Sequence, residues 1–261
     1  HLATNDAHGA AEQFWRRLFL GKPAQTSAHP ETLAYAYLTT PRATSPRWAS
    51  EGIATFMETW MAGSIGRAQG GFDEMVFRAM VRDGAPFYSN LGVASEGAKV
   101  DFNTSTNAYL YGTRFMSYLA LTYGPDKIVA WWKRDEGSHR YYATQFQQVY
   151  GLPLAEAWQA WIQWEKEFQT KNLATVRQYP VTPYQDVTSQ TLGAVSRHFV
   201  SADGTKVYAA VKYPGQVPQL VAISRATGAV EKLLELKGAG GLRVTDLAYD
   251  PAADTLFFTT N

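Results

Sequence analysis

The sequence predicts an α+β multidomain chain, mainly α-helical over residues 1–172 and antiparallel β over residues 191–261, with a linker at 173–190. Three observations carry this division. Apolar residues recur at helical spacing through most of the first part. The pattern dissolves between residues 169 and 191, where Pro180 and Pro183 fall. Beyond them the apolar period becomes two, with Asp-Gly and Thr-Gly turn signals between short runs.

Composition agrees with packed, folded structure. Apolar residues make up 46% and aromatic residues 14% of the 261 positions, enough to bury a core. The net charge of +1 carries no basic excess that would call for nucleic acid. There are no cysteines, which excludes a disulfide framework, a thiolate metal site and a cysteine nucleophile. No apolar run approaches the roughly 20 residues of a membrane span.

The first helix is expected over residues 5–20, with a stripe of Ala7, Ala10, Ala11, Phe14, Leu18 and Phe19, stopped by Gly21, Lys22 and Pro23. A loop rich in Thr, Ser and Pro is expected up to Pro46. Residues 48–60 read as a helix, with Ser45 or Ser50 placed to cap it and Pro46 suited to its first turn. Residues 72–82 read as another, with Phe72, Met75, Val76, Ala79 and Met80 on one face. The clearest helix is 106–123, where Tyr109, Phe115, Met116, Leu119 and Ala120 share a spacing and Gly124-Pro125 ends it. Helices follow at 125–133 and 154–167, the latter with Trp158, Trp161 and Trp164 three apart on a common side, a core-packing stripe.

Strands are expected at 206–211, 219–223, 230–236, 245–249 and 255–260. Ser201-Ala-Asp-Gly-Thr-Lys-Val-Tyr is echoed 49 residues later by Asp250-Pro-Ala-Ala-Asp-Thr-Leu-Phe. That period suits a propeller blade. The Ser-x-Asp-Gly turn resembles blades of the TolB or PD40 type. One and a half blades do not close a ring, so a complete β-propeller is expected to need more chain than residues 191–261.

The sharpest motif is Pro46-Arg-Trp-Ala-Ser-Glu-Gly-Ile-Ala-Thr-Phe-Met-Glu58. It resembles the glutamate helix of gluzincin zinc metallopeptidases (peptidase MA, aminopeptidase N-like), written P-x-W-x-x-E-G-x-A-x-[YF]-x-E. Pro46, Trp48, Glu51, Gly52, Ala54, Phe56 and Glu58 fit it. A catalytic zinc takes three protein ligands and leaves one position open for water. The family draws two histidines from an H-E-x-x-H helix and a carboxylate from the second helix, and the resemblance gives that role to Glu51. Gly52 and Ala54 are small, as a close approach of two helices requires. A second segment, Tyr109-Leu-Tyr-Gly112 with the apolar helix after it, resembles the family's Y-x-x-G helix. There the opening tyrosine donates to the tetrahedral oxyanion. Tyr109 holds that position and Tyr111 is the reserve candidate; a phenol is a neutral donor at pH 7. Residues 146–161 resemble the closing helix pair of the same group. The resemblance implies a thermolysin-like C-terminal subdomain, zinc as cofactor, a peptide or protein substrate, and a propeller that gates access or binds a protein partner.

No H-E-x-x-H occurs in the sequence. His1-Leu-Ala-Thr reads like the continuation of that motif after its second histidine, so the resemblance makes His1 a zinc ligand. The first histidine and the general-base glutamate are then expected before residue 1. His1 and Glu51 are 50 residues apart, with 21–45 as an insertion. His8, His29, His139 and His198 read as structural or solvated. The lack of Cys and the fold resemblance suggest a periplasmic or secreted bacterial protein. The rival reading is a non-catalytic peptidase-fold scaffold whose propeller binds protein or glycan. A free amino-terminal His1 also offers a copper brace, but the monooxygenases that use one are β-sandwiches and resemble the chain nowhere else.

Overall fold

The computed structural model describes residues 10–20, 31–39, 42, 45–94, 104–134, 137–213, 216–235 and 247–259. They form two compact units, one helical up to Tyr179 and one of antiparallel sheet from Pro180 onward. No described helix is long and apolar enough to cross a membrane.

The helical unit contains α1 (Ala10–Leu18), α2 (Glu31–Thr39), α3 (Arg47–Met61), a 3-10 turn (Arg67–Gln69), α4 (Gly71–Arg82), α5 (Asn90–Ala94), α6 (Thr104–Tyr123), α7 (Pro125–Trp132), α8 (Tyr142–Tyr150) and α9 (Leu154–Val176). Its core is aromatic. Trp48, Phe77, Phe115, Phe146, Trp131, Trp158 and Trp161 are fully buried. Trp158 is the hub, with ring centroids 4.7 Å from Trp48, 4.8 Å from Phe115 and 4.9 Å from Trp161. Trp158 and Trp161 of the α9 stripe are therefore core, as their spacing predicts, and Trp164 packs partly buried against them. The start of α7 also follows the sequence, with Gly124 at φ 91° and Pro125 in the first turn.

Several expectations are corrected, most of them where a polar side chain is buried. On α1, Phe14 and Leu18 are 59% exposed, while Glu12 is buried against Arg134 at 2.7 Å. The loop expected over 21–45 is interrupted by α2, whose Tyr35 is buried and stacks edge-on with Phe19. At α3, Pro46 is itself the N-cap, in extended conformation, and neither Ser45 nor Ser50 caps the helix. On α4, Phe72 and Met75 face solvent; Asp73 and Phe77 are the buried residues, because Asp73 is clamped by Arg67 at 3.2 Å. Burial pushes the Asp73 carboxyl up against the pull of that guanidinium. Finally, α9 runs on to Val176, past the expected end at residue 167 and into the expected linker. Its continuation is held by polar burial: Gln169 donates to Glu165 at 2.8 Å, and neither is exposed.

The second unit contains β1 (Ala194–Val195), β2 (Phe199–Val200), β3 (Lys206–Lys212), β4 (Gln219–Ser224), β5 (Val230–Glu235), β6 (Leu247–Asp250) and β7 (Thr255–Phe258). The sheet order is β1-β3-β4-β5 with β2 also on β3, and β6-β7 form a separate hairpin; all these pairings are antiparallel. Neither sheet closes on itself. Residues on β3 alternate between two cores. Val207, Ala209 and Val211 pack with Val221, Ile223 and Leu192. Ala210 packs with Leu220, Leu247 and Leu256 of the separate hairpin. Burial on both faces explains the nearly continuous apolar run of this strand. Strand β5 is a charged edge, with Glu231, Lys232 and Glu235 in solvent, which discourages further pairing.

The 49-residue echo extends to register. Phe199 pairs with Tyr208 and Val200 with Val207; 49 residues on, Ala248 pairs with Phe257 and Tyr249 with Leu256. The first turn is knotted by Asp203, which accepts from Ser201 Oγ at 2.6 Å, Thr205 N at 3.0 Å and Thr205 Oγ1 at 2.9 Å. Those hydrogen bonds hold its carboxyl down at about 2. Gly204 completes the turn at φ 73°, open to a residue without a Cβ. Tyr249 joins the two hairpins, accepting from Ala202 N at 3.1 Å and donating to Asp254 at 2.7 Å.

Candidate functional site

Helices α3 and α6, which carry the two motifs, cross main chain to main chain. A Cβ on Gly52 would lie 2.5 Å from the Gly112 carbonyl carbon. A Cβ on Gly112 would lie 2.1 Å from the Trp48 carbonyl oxygen and 2.9 Å from Gly52 Cα. The smallness of Gly52 thus serves a close approach to the helix of the second motif. Trp48, one turn before Gly52, anchors the crossing from below, its ring 5.7 Å from Phe115 and fully buried.

The crossing gathers Glu51 and Tyr109. Glu51 immediately precedes Gly52 and Tyr109 lies about one helical turn before Gly112, and Arg47 reaches both. Arg47 Nε is 3.4 Å from Glu51 Oε1, and its guanidinium lies 5.7 Å from the Tyr109 ring centroid. Arg67 approaches the same ring at 5.3 Å while holding Asp73. Glu51 retains 15% side-chain exposure and Tyr109 is half-buried, so both face an accessible rim. Chemically the rim offers a carboxylate, a phenol and two guanidiniums.

The motif's matched positions divide by role. Trp48 and Gly52 are explained by packing alone, and Glu58 is exposed. Glu51 is the matched polar position placed beside another functional group. Tyr111 drops out as the reserve candidate: it is buried in the aromatic core, 5.1 Å from Phe77, and its hydroxyl accepts from Tyr88 N at 3.2 Å. His1 lies outside the described residues, as do His8 and His29. His139 and His198 are exposed. Among the described residues no group of three His, Cys, Asp or Glu side chains is arranged to hold a metal. The two arginines went unread in the sequence. Arg47 left a signal, one helical turn before Glu51; Arg67 left none, since the fold alone brings it to Tyr109.

Comparison with protein-family models, curated proteins and solved structures finds no match to the chain.

Proposed function

We propose that the helical unit is part of a gluzincin-type zinc metallopeptidase domain, thermolysin-like in its C-terminal subdomain, that hydrolyses peptide bonds. The observation that supports it most is the glycine crossing, which brings the glutamate of one motif and the tyrosine of the other to one rim through Arg47. In this reading Glu51 is a zinc carboxylate and Tyr109 donates its hydroxyl proton in a hydrogen bond to the oxygen of the attacked carbonyl. The reading calls for His1 as a second ligand, and for a further imidazole and a general-base carboxylate from an H-E-x-x-H segment ahead of it. Zinc supplies a polarised water when bound. The residues in hand supply orientation: Arg47 restrains the Glu51 carboxylate and braces the Tyr109 ring. The 49-residue repeat supports a β-propeller of the TolB type for the second unit, with a protein partner as its expected ligand and an exported bacterial protein as the setting.

The test uses the full-length natural protein, with zinc content and peptide hydrolysis read together. Glu51→Ala is expected to lose both. Tyr109→Phe is expected to keep zinc and lose about 100-fold or more in turnover. Retention of zinc and activity by Glu51→Ala overturns the assignment. The Arg47–Glu51 ion pair favours one rival, a peptidase-fold scaffold in which the guanidinium stands where a metal would. That reading predicts a zinc-free natural protein.

A further inference from the structure

Beyond their glycine crossing, the later turns of α3 and α6 wall a second feature, a cleft of about 410 Å³ closed by α4 and α9. That volume suits one small organic group. Four rings line it: Phe56 and Trp60 from α3, Trp164 and Phe168 from α9. Its charged members are Arg114 and Glu74. The cleft is separate from the rim of Glu51 and Tyr109, which belongs to the earlier turns of the same two helices.

The charges do not balance. Arg114 is 6% exposed and each of its three nitrogens donates to a carboxylate: Nε reaches Glu165 Oε2 at 3.1 Å, Nη2 reaches Glu165 Oε1 at 3.0 Å, and Nη1 reaches Glu74 Oε1 at 3.3 Å. The rings of Trp164 and Phe168 lie 6.0 and 5.3 Å from its guanidinium carbon. One cation therefore faces two carboxylates. Glu165 has no exposure, so the excess negative charge reaches the cleft through Glu74, whose side chain is 30% exposed. Aromatic faces add negative potential of their own. An anion would meet the Glu74 carboxylate and an Arg114 already paired with two carboxylates.

We infer that this cleft is a binding site for an apolar ammonium ligand, an amine on a short alkyl or arylalkyl body. The body packs among the four rings and the ammonium pairs with Glu74. The inference stands apart from the metallopeptidase reading, and its test measures binding without turnover, so either can fail alone.

The experiment titrates the full chain with three probes of matched size: phenethylammonium, 2-phenylethanol and phenylacetate. Binding is read from calorimetry and from the indole N–H resonances of Trp60 and Trp164. Phenethylammonium is expected to saturate the cleft and shift both indoles. It should bind about tenfold tighter than the alcohol, a difference of one carboxylate contact, while phenylacetate does not bind. Glu74→Gln should bring the ammonium down to the affinity of the alcohol and leave the alcohol unchanged. Equal affinity for all three probes, preference for the anion, or no saturable ammonium binding overturns the proposal. Undiminished ammonium binding in Glu74→Gln also overturns it. If that variant melts early, the wild-type charge series decides alone.

Discussion

Gly112→Ala is expected to destabilise the helical unit, although alanine is the better helix former. In an unobstructed helix the exchange would gain about 1 kcal/mol. Here the new methyl would sit 2.1 Å from the Trp48 carbonyl oxygen and 2.9 Å from Gly52 Cα, both main-chain atoms that no rotamer change can move. Restoring ordinary contact, about 3.5 Å, requires the helices to part by roughly 1.4 Å. Overpacking of this kind costs about 3 kcal/mol at the upper end of the usual range. The net expectation is about 2 kcal/mol of lost stability. For a unit of this size that lowers the melting midpoint by about 4–8 °C. Tryptophan fluorescence isolates the event, since all 8 tryptophans lie before residue 165, within the helical unit. Gly71→Ala is the control: it sits in the first turn of α4 with nothing within 4 Å of an added Cβ, and is expected to be neutral or slightly stabilising. A Gly112→Ala protein as stable as the wild type would refute the crossing.

Two further perturbations test the buried charges and the turn chemistry. Arg114→Met leaves the unexposed Glu165 without its cation, with the Gln169 hydrogen bond remaining, and is expected to cost about 3–5 kcal/mol in urea unfolding followed by tryptophan fluorescence. Replacing Glu165 by Met as well should return much of that loss. Asp203 has its carboxyl held at about 2, below its ordinary value of 3.8, so its contribution to the sheet unit is present above about pH 4 and is lost as pH falls toward 2. Asp203→Asn should flatten that acid limb. The measurement is the pH dependence of hydrogen exchange at the Thr205 and Lys206 amides.

The fold was legible wherever burial is apolar and local. Leu119 and Trp158 announce their helices by period, and the turn at Asp203-Gly204 announces the hairpin that follows. Illegible parts were those held by buried polar pairs, whether local or across the fold. Glu12, Asp73 and Gln169 look like solvated positions until Arg134, Arg67 and Glu165 are seen beside them. Apolar periodicity therefore misplaced the buried faces of α1 and α4 and cut α9 short. The candidate rim was half legible. Glu51 and Tyr109 stand out through motif resemblance, whereas their meeting depends on Gly52 and Gly112, and two glycines 60 positions apart carry no sign that they touch.

The repeated hairpin bears on how such a chain can grow. Because both copies keep the same partner-to-partner offset, copying a whole 49-residue stretch reproduces which side chains point inward and which outward. A stretch one residue longer or shorter within the paired segments would invert the faces after it unless a bulge absorbs the extra residue, as one does between β4 and β5 at Leu220 and Val221. Length changes are thus absorbed by whole repeats, by the connecting loops or by a bulge, so that the sheet unit keeps its inward and outward faces in step across the repeat.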